Sequence, residues 1–245
     1  MNDTIHQLMA RKSVRVFTEK EITKEERQAI LLAATAAPTA GNQQLYTVLN
    51  ITDPALQARL ADTCDHQPFI AEAKLVLIFL ADCKKWYEAF RVADAEPREP
   101  GIGDLLLAVS DANLAAQNAV TAAESLGIGS CYIGDIMENA EEHRMLLGLP
   151  PYVFPCAMLV FGYPAESQVL RKKPARLPLS QVVFENRYPA LSPDDYRAMF
   201  TPRAGAVGYE EYMNRFCRRK YNSDFSREMT RSVALYCRDF LPFKE

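Results

Sequence analysis

Between Asp104 and Leu126 the chain is rich in alanine and leucine and carries apolar side chains on most faces of a helix. Such a helix must be surrounded on nearly every side, so it is expected at the centre of the fold, closed by Gly127-Ile128-Gly129. The rest of the chain must then supply its cover. Two continuous apolar runs, Leu75–Ala81 and Val153–Phe161, read as strands buried on both faces. Tyr46–Ile51 is β-prone, and Ser130–Ile133 is a short strand.

Helices fill the intervals. Ile5–Ala10 is a short one. Thr23 with Glu26 three residues on forms a capping box for Lys24–Ala37, which stops at Pro38. Asp53-Pro54 opens another helix through about Cys64, and Glu138–Leu147 is amphipathic. Val92–Gly103 reads as a long polar excursion of the lid type, and as the substrate determinant. Residues 165–179 read as a basic, proline-containing loop, and the last fifty or so residues as two or three helices. Few strands among many helices imply an α+β domain with one small central sheet.

Bulk properties set limits. Net charge is −3, which gives no global pull toward nucleic acid or an anionic membrane. No targeting segment is visible, and no apolar stretch is long enough to span a bilayer. The six cysteines form no CxxC pair and read as small buried thiols of a cytoplasmic protein. The three histidines lack metal-ligand spacing, the dinucleotide fingerprint at Gly101 is incomplete, and Gly-x-Ser-x-Gly is absent.

Four constellations carry chemistry. Arg11-Lys12-Ser13-Val14-Arg15 would place Arg11, Ser13 and Arg15 on one face if extended, two guanidinium forks and a hydroxyl suited to phosphate. Taken alone, the cluster equally describes a solvated charged turn. Residues 38–44 offer the Thr39 hydroxyl, a flexible Gly41 and three carboxamides, Asn42, Gln43 and Gln44, which suit a flat heterocycle with mixed edge groups. Such polar loops also simply join helices to strands. Tyr132-Ile133-Gly134-Asp135 follows a strand, where a glycine lets backbone amides approach a ligand or merely makes a turn. Arg171-Lys172-Lys173 with Arg176 is a second basic patch. Two such patches in an acidic chain point to one discrete polyanionic ligand.

These segments, in this order, resemble the nitroreductase family of FMN-dependent NAD(P)H oxidoreductases from about Ile5 to Val183. The first resembles the family's Arg-Arg/His-Ser-x-Arg/Lys. Ala37-Pro38-Thr39-Ala40-Gly41-Asn42-Gln43-Gln44 resembles Ala-Pro-Ser-x-x-Asn-x-Gln-Pro, and Tyr132-Ile-Gly-Asp and Gly162-Tyr-Pro sit in register.

The resemblance implies a mostly antiparallel sheet surrounded by helices in residues 1–185, and a C-terminal helical extension in 186–245 packed on the same domain or on a partner. It implies a homodimer with FMN at the interface and NADH or NADPH as donor. Arg11 and Ser13, helped by Arg176 and Lys173, would hold the FMN phosphate. Lys12 would lie along the ribityl chain and Arg15 near flavin N1 and O2. Pro38, Thr39, Ala40, Gly41, Asn42 and Gln44 form the loop that would reach the flavin from the other subunit. Amides of Ile133, Gly134 and Asp135 would face N5, and no protein side chain is implied as catalytic. Leu45 replaces the usual proline after Gln44, and Asp135 stands where a small residue is common.

The implied reaction is ping-pong transfer from NAD(P)H to nitroaromatics, quinones or free flavins. Dehalogenation, flavin fragmentation and a non-catalytic FMN carrier or sensor remain alternatives.

Overall fold

The computed structural model describes residues 2–241. In chain order the elements are α1 (Asp3–Ala10), α2 (Lys24–Thr35), β1 (Tyr46–Ile51), α3 (Pro54–Thr63), β2 (Leu75–Asp82), α4 (Lys84–Val92), α5 (Ile102–Ser125) and β3 (Gly129–Ile133). They continue through α6 (Ala140–Leu147), β4 (Val153–Gly162), α7 (Glu166–Leu170), α8 (Pro193–Ala204), α9 (Tyr209–Lys220) and α10 (Asp224–Cys237).

The four strands form one sheet in the order β1-β2-β4-β3, antiparallel at every pairing. β2 and β4 lie in the middle, and every residue of both is buried. That placement is what an unbroken apolar run requires. α5 buries Leu105, Ala108, Ala112, Ala115, Ala116, Ala119, Val120 and Ala123 in the same core as the sheet. Its small side chains let the sheet backbone approach. Gly127 ends it at φ 73°, and the Ile128 N–H donates back to the Ala123 carbonyl at 2.9 Å.

Two compact units make up the chain: residues 1–173 with 229–245, and residues 174–228. The first holds the sheet and α5. In the second, a Ser192–Asp195 capping box opens α8, and Arg197 of α8 pairs with Glu210 of α9.

Three local expectations are corrected. Residues 165–179 include the short helix α7, started by Glu166 after the extended Ala165. The excursion after α4 is shorter than its composition suggests, because α5 already begins at Ile102. Among the cysteines, Cys64, Cys83, Cys131 and Cys156 are buried, but Cys217 is exposed and Cys237 half-buried. No helix among the described residues is long and apolar enough to cross a membrane, and none of them group as a metal site.

Candidate functional site

The basic segment after α1 lies against the end of the sheet. The Val14 N–H donates to the Ser130 carbonyl at 2.9 Å, Ser13 bridges Ser130, and the Thr18 N–H donates to the Tyr163 carbonyl at 2.8 Å. Two glycines permit the approach. A Cβ at Gly129 would lie 2.5 Å from Val14 Cγ2, and one at Gly162 would lie 2.6 Å from Phe17 Cδ1. Side chains alternate as in any extended stretch. Arg11, Ser13 and Arg15 all neighbour Cys131 of β3: burial pushes its thiol up, and Arg15, Ser13 and Arg11 pull it back.

Arg11 is half-buried, and its Nε and Nη2 are buried without a hydrogen-bond partner. Its guanidinium lies 5.6 Å from the centre of the Tyr132 ring and borders Gln117, Thr121 and Glu124 of α5. A buried guanidinium with idle donors is costly unless an anion meets it. That observation makes the segment fit a phosphate. Burial pushes Tyr132 up to about 12, opposed by Arg11. Arg15 is exposed and lies 5.9 Å from the Phe69 ring centre.

Lys12 points the other way. Its Nζ donates to the carbonyls of Val169 at 2.7 Å and Arg171 at 2.5 Å, while Arg171 donates to the Ser13 carbonyl. Lys173 donates to the Met9 carbonyl at 2.6 Å, where a cation suits the C-terminus of α1. Arg11, Lys12 and Lys173 all face the Glu124 carboxyl, which burial pushes up and these cations pull down. Three cations against one carboxylate leave positive charge for a polyanion. Arg176 belongs to the second unit, where its Nη1 donates to the Pro174 carbonyl at 3.1 Å.

Ile133, Gly134 and Asp135 run off the end of β3 into a short 3-10 turn. Gly134 has an ordinary φ of −79°, and a Cβ there would meet nothing closer than Met137 Cε at 3.8 Å. The chain's own packing therefore makes no demand for a glycine at 134. Behind this turn sits His143, fully buried. Its Nδ1 donates to the Ile136 carbonyl at 2.9 Å, so Nε2 is the acceptor for the Thr63 hydroxyl at 2.9 Å. Thr63 ends α3, and the loop after it carries Phe69. One imidazole thus ties the 133–136 turn to the segment beside Arg15.

The 38–44 loop lies elsewhere on α5. The Asp111 carboxylate, 2% exposed, accepts the Ala40 N–H at 2.9 Å and the Leu45 N–H at 3.1 Å. The Gln43 carbonyl accepts Trp86 Nε1–H at 2.6 Å, and the Thr39 hydroxyl accepts the Gln44 N–H at 3.3 Å. Gly41, Asn42 and Gln44 all have positive φ, 56°, 56° and 50°. Thr121, beside Arg11, is ten residues past Asp111, about 15 Å along the helix axis. A single chain brings Arg11, Ser13 and Arg15 together with β3, and holds Pro38, Thr39, Ala40, Gly41, Asn42 and Gln44 at a separate place.

Asp111, His143 and Phe69 were not read from the sequence as site residues. Only Asp111 leaves a signal, as a lone acid within an otherwise apolar helix face. In the sequence reading Gly129 is the close of a helix and Gly162 the end of a strand, but glycine in a strand also marks close approach of another segment.

Comparison with known proteins agrees with the motifs. The model of the nitroreductase family matches residues 8–163. The FMN reductase [NAD(P)H] of Bacillus subtilis is 32% identical over 96% of this chain and 91% of its own. The oxygen-insensitive NADPH nitroreductase of Salmonella typhimurium is 38% identical over 78% of this chain and 77% of its own. Among solved structures, the NADPH:FMN oxidoreductase of Vibrio harveyi complexed with NAD+ superimposes with a TM-score of 0.80 at 27% identity, covering 96% of this chain and 98% of that one. With its antiparallel sheet, its central helix and its motifs in register, the chain belongs to the nitroreductase family.

Proposed function

We propose that the protein is an FMN-dependent oxidoreductase that draws electrons from NADH or NADPH and delivers them to small electron-poor acceptors such as nitroaromatics, quinones or free flavins. The observation that carries this reading is the half-buried Arg11, whose Nε and Nη2 are buried without a hydrogen-bond partner, beside Ser13, Arg15 and the glycine-bearing end of β3. The names of the relatives support it.

When bound, FMN would supply the two-electron redox chemistry between the nicotinamide and the acceptor. The chain's residues bind and orient. Arg11 and Ser13 would hold the phosphate, with Lys173 nearby. Arg15 would place a cation at the N1 and O2 edge, and amides of Ile133, Gly134 and Asp135 would present donors to N5. Lys12 would serve the ribityl chain only by releasing the carbonyls of Val169 and Arg171.

The loop Pro38–Gln44 would come from a second copy of the chain. Its separation from Arg11 along α5 supports that, as do the exposed Leu106, Leu107 and Leu114 on α5 and Leu8 and Met9 on α1. Protein purified from cells should be a yellow dimer with one FMN per subunit. Stopped-flow mixing with NADPH should bleach it, and a quinone or nitroaromatic should restore the colour. Reduced protein that passes electrons to no such acceptor would leave an FMN carrier.

A further inference from the structure

Glu124 sets a carboxyl among the cations of the phosphate site. It stands one residue before the end of α5, where the carbonyl end of the helix opposes negative charge. The side chain is half-buried, and its carboxylate takes no hydrogen bond and no ion pair from any described residue. Its cationic neighbours bond elsewhere. The Lys12 Nζ sits on the carbonyls of Val169 and Arg171, and the Lys173 Nζ on that of Met9. Arg11 borders Glu124 with Nε and Nη2 buried and unpartnered. A cavity of about 280 Å³ opens on the carboxyl, lined also by Lys12, Gly127, Gly129, Gln168 and Val169, so it can exchange protons with solvent.

The charges acting on Glu124 are Arg11 and Lys12 from the segment after α1, and Lys173 from the segment after α7. Gln7 of α1 and Gln117 and Thr121 of α5 border it without adding charge. Tyr132, beyond Arg11, stays neutral up to about 12. Three cations less one carboxylate leave +2, and neutralising the carboxyl leaves +3. A phosphate monoester brings about −1.5 to −2 near pH 7. Its oxygens seek the same cations as the carboxylate, and two anions sharing a site disfavour each other.

We propose that Glu124 is the resident counter-ion of the phosphate site and competes with the FMN phosphate for its cations, so that FMN enters together with a proton taken up at this carboxyl. The assignment rests on the reading that puts the phosphate at Arg11. In the flavin-free protein the three cations favour the ionised carboxylate. The bound phosphate spends that positive charge and adds a like one, so Glu124 holds a proton more tightly in the complex. A group that gains proton affinity on binding takes a proton from solvent, and its ligand binds more tightly as pH falls through the interval between the two values. Glu124 thus lowers FMN affinity at neutral pH and leaves a flavin without phosphate unaffected.

The flavin-free full chain is titrated calorimetrically with FMN near pH 7, in two buffers of different ionisation enthalpy, which counts the protons taken up. Glu124→Gln keeps the shape and removes the charge. It should bind FMN about tenfold more tightly, the scale of one like charge removed beside another, and take up fewer protons than the parent. Riboflavin should bind both alike. Glu124→Asp keeps the charge and should stay near the parent. Weaker FMN binding in Glu124→Gln would make the carboxyl a support for Arg11 or Lys12, and overturns the proposal. Equal proton uptake in parent and Gln variant, an equal gain for riboflavin, or an equal gain in Glu124→Asp does so too. Each of these leaves FMN binding itself intact, whereas a parent chain that takes up no FMN would sink the oxidoreductase reading and the proposal with it.

Discussion

The carboxylate of Asp111 holds Ala40 by its backbone, accepting the N–H at 2.9 Å through Oδ1 while Oδ2 accepts that of Leu45 at 3.1 Å. One buried acid on the central helix therefore pins both ends of the loop proposed to meet FMN. Asparagine offers one acceptor oxygen and would set its own amide against the second N–H. Asp111→Asn should cost about 1.5–3 kcal/mol, the worth of a hydrogen bond to a charged group. Urea unfolding of the flavin-free protein measures it, and an unchanged midpoint would contradict the role.

Gly129 and Gly134 should separate packing from binding. Gly129→Ala puts a Cβ 2.5 Å from Val14 Cγ2 and 2.8 Å from Val14 Cβ, so the Arg11–Arg15 segment must shift. Loss of both stability and FMN retention is expected, of the order of 1–3 kcal/mol for overpacking. Gly134→Ala meets only Met137 Cε at 3.8 Å, at an ordinary φ. Its thermal midpoint should match the parent's within the scatter of a neutral change, about 0.5 kcal/mol, while FMN dissociates faster. Equal effects of the two substitutions would remove Gly134 from the cofactor site.

His143 should make stability depend on pH. Burial lowers its pKa from the ordinary 6.5, opposed by the carbonyls of Ile136 and Glu138 and by Glu142. The unfolded chain then takes up a proton that the folded chain resists. Stability is whole above the unfolded value and falls as pH drops below about 6.5 toward the folded value. His143→Gln retains a donor and an acceptor but does not titrate, so its urea midpoints should decline less over that interval. Identical slopes in the two proteins would show that other groups carry the acid limb.

The parts legible in the sequence are those whose signal is local. The buried strands Leu75–Asp82 and Val153–Gly162 announce themselves as unbroken apolar runs, and α2 by its capping box. Arg11, Ser13 and Arg15 could be placed on one face because extended backbone alternates. What faced each of them could not be read. Val14 against Gly129 and His143 against Thr63 are far apart in the chain, and no periodicity encodes such pairs. Lys12 shows the same limit: the resemblance implies a place along the ribityl chain, and the structure puts its ammonium on the carbonyls at the end of α7.

Arg11 offers the sharpest separation of binding from folding. Its Nε and Nη2 are buried without partners, so in the flavin-free protein the side chain holds desolvated donors that nothing satisfies. Arg11→Met keeps the length and apolar stem of the side chain and removes those donors. The flavin-free variant should be as stable as the parent or more so, because an unmet buried polar group is destabilising by about 1–3 kcal/mol. FMN affinity should fall by about 10- to 150-fold, the equivalent of a charge-assisted contact of about 1.5–3 kcal/mol. Riboflavin, which lacks the phosphate, should bind both proteins alike. Isothermal titration with the two flavins decides it: an equal loss for both would place Arg11 against the ring or the ribityl chain instead of the phosphate.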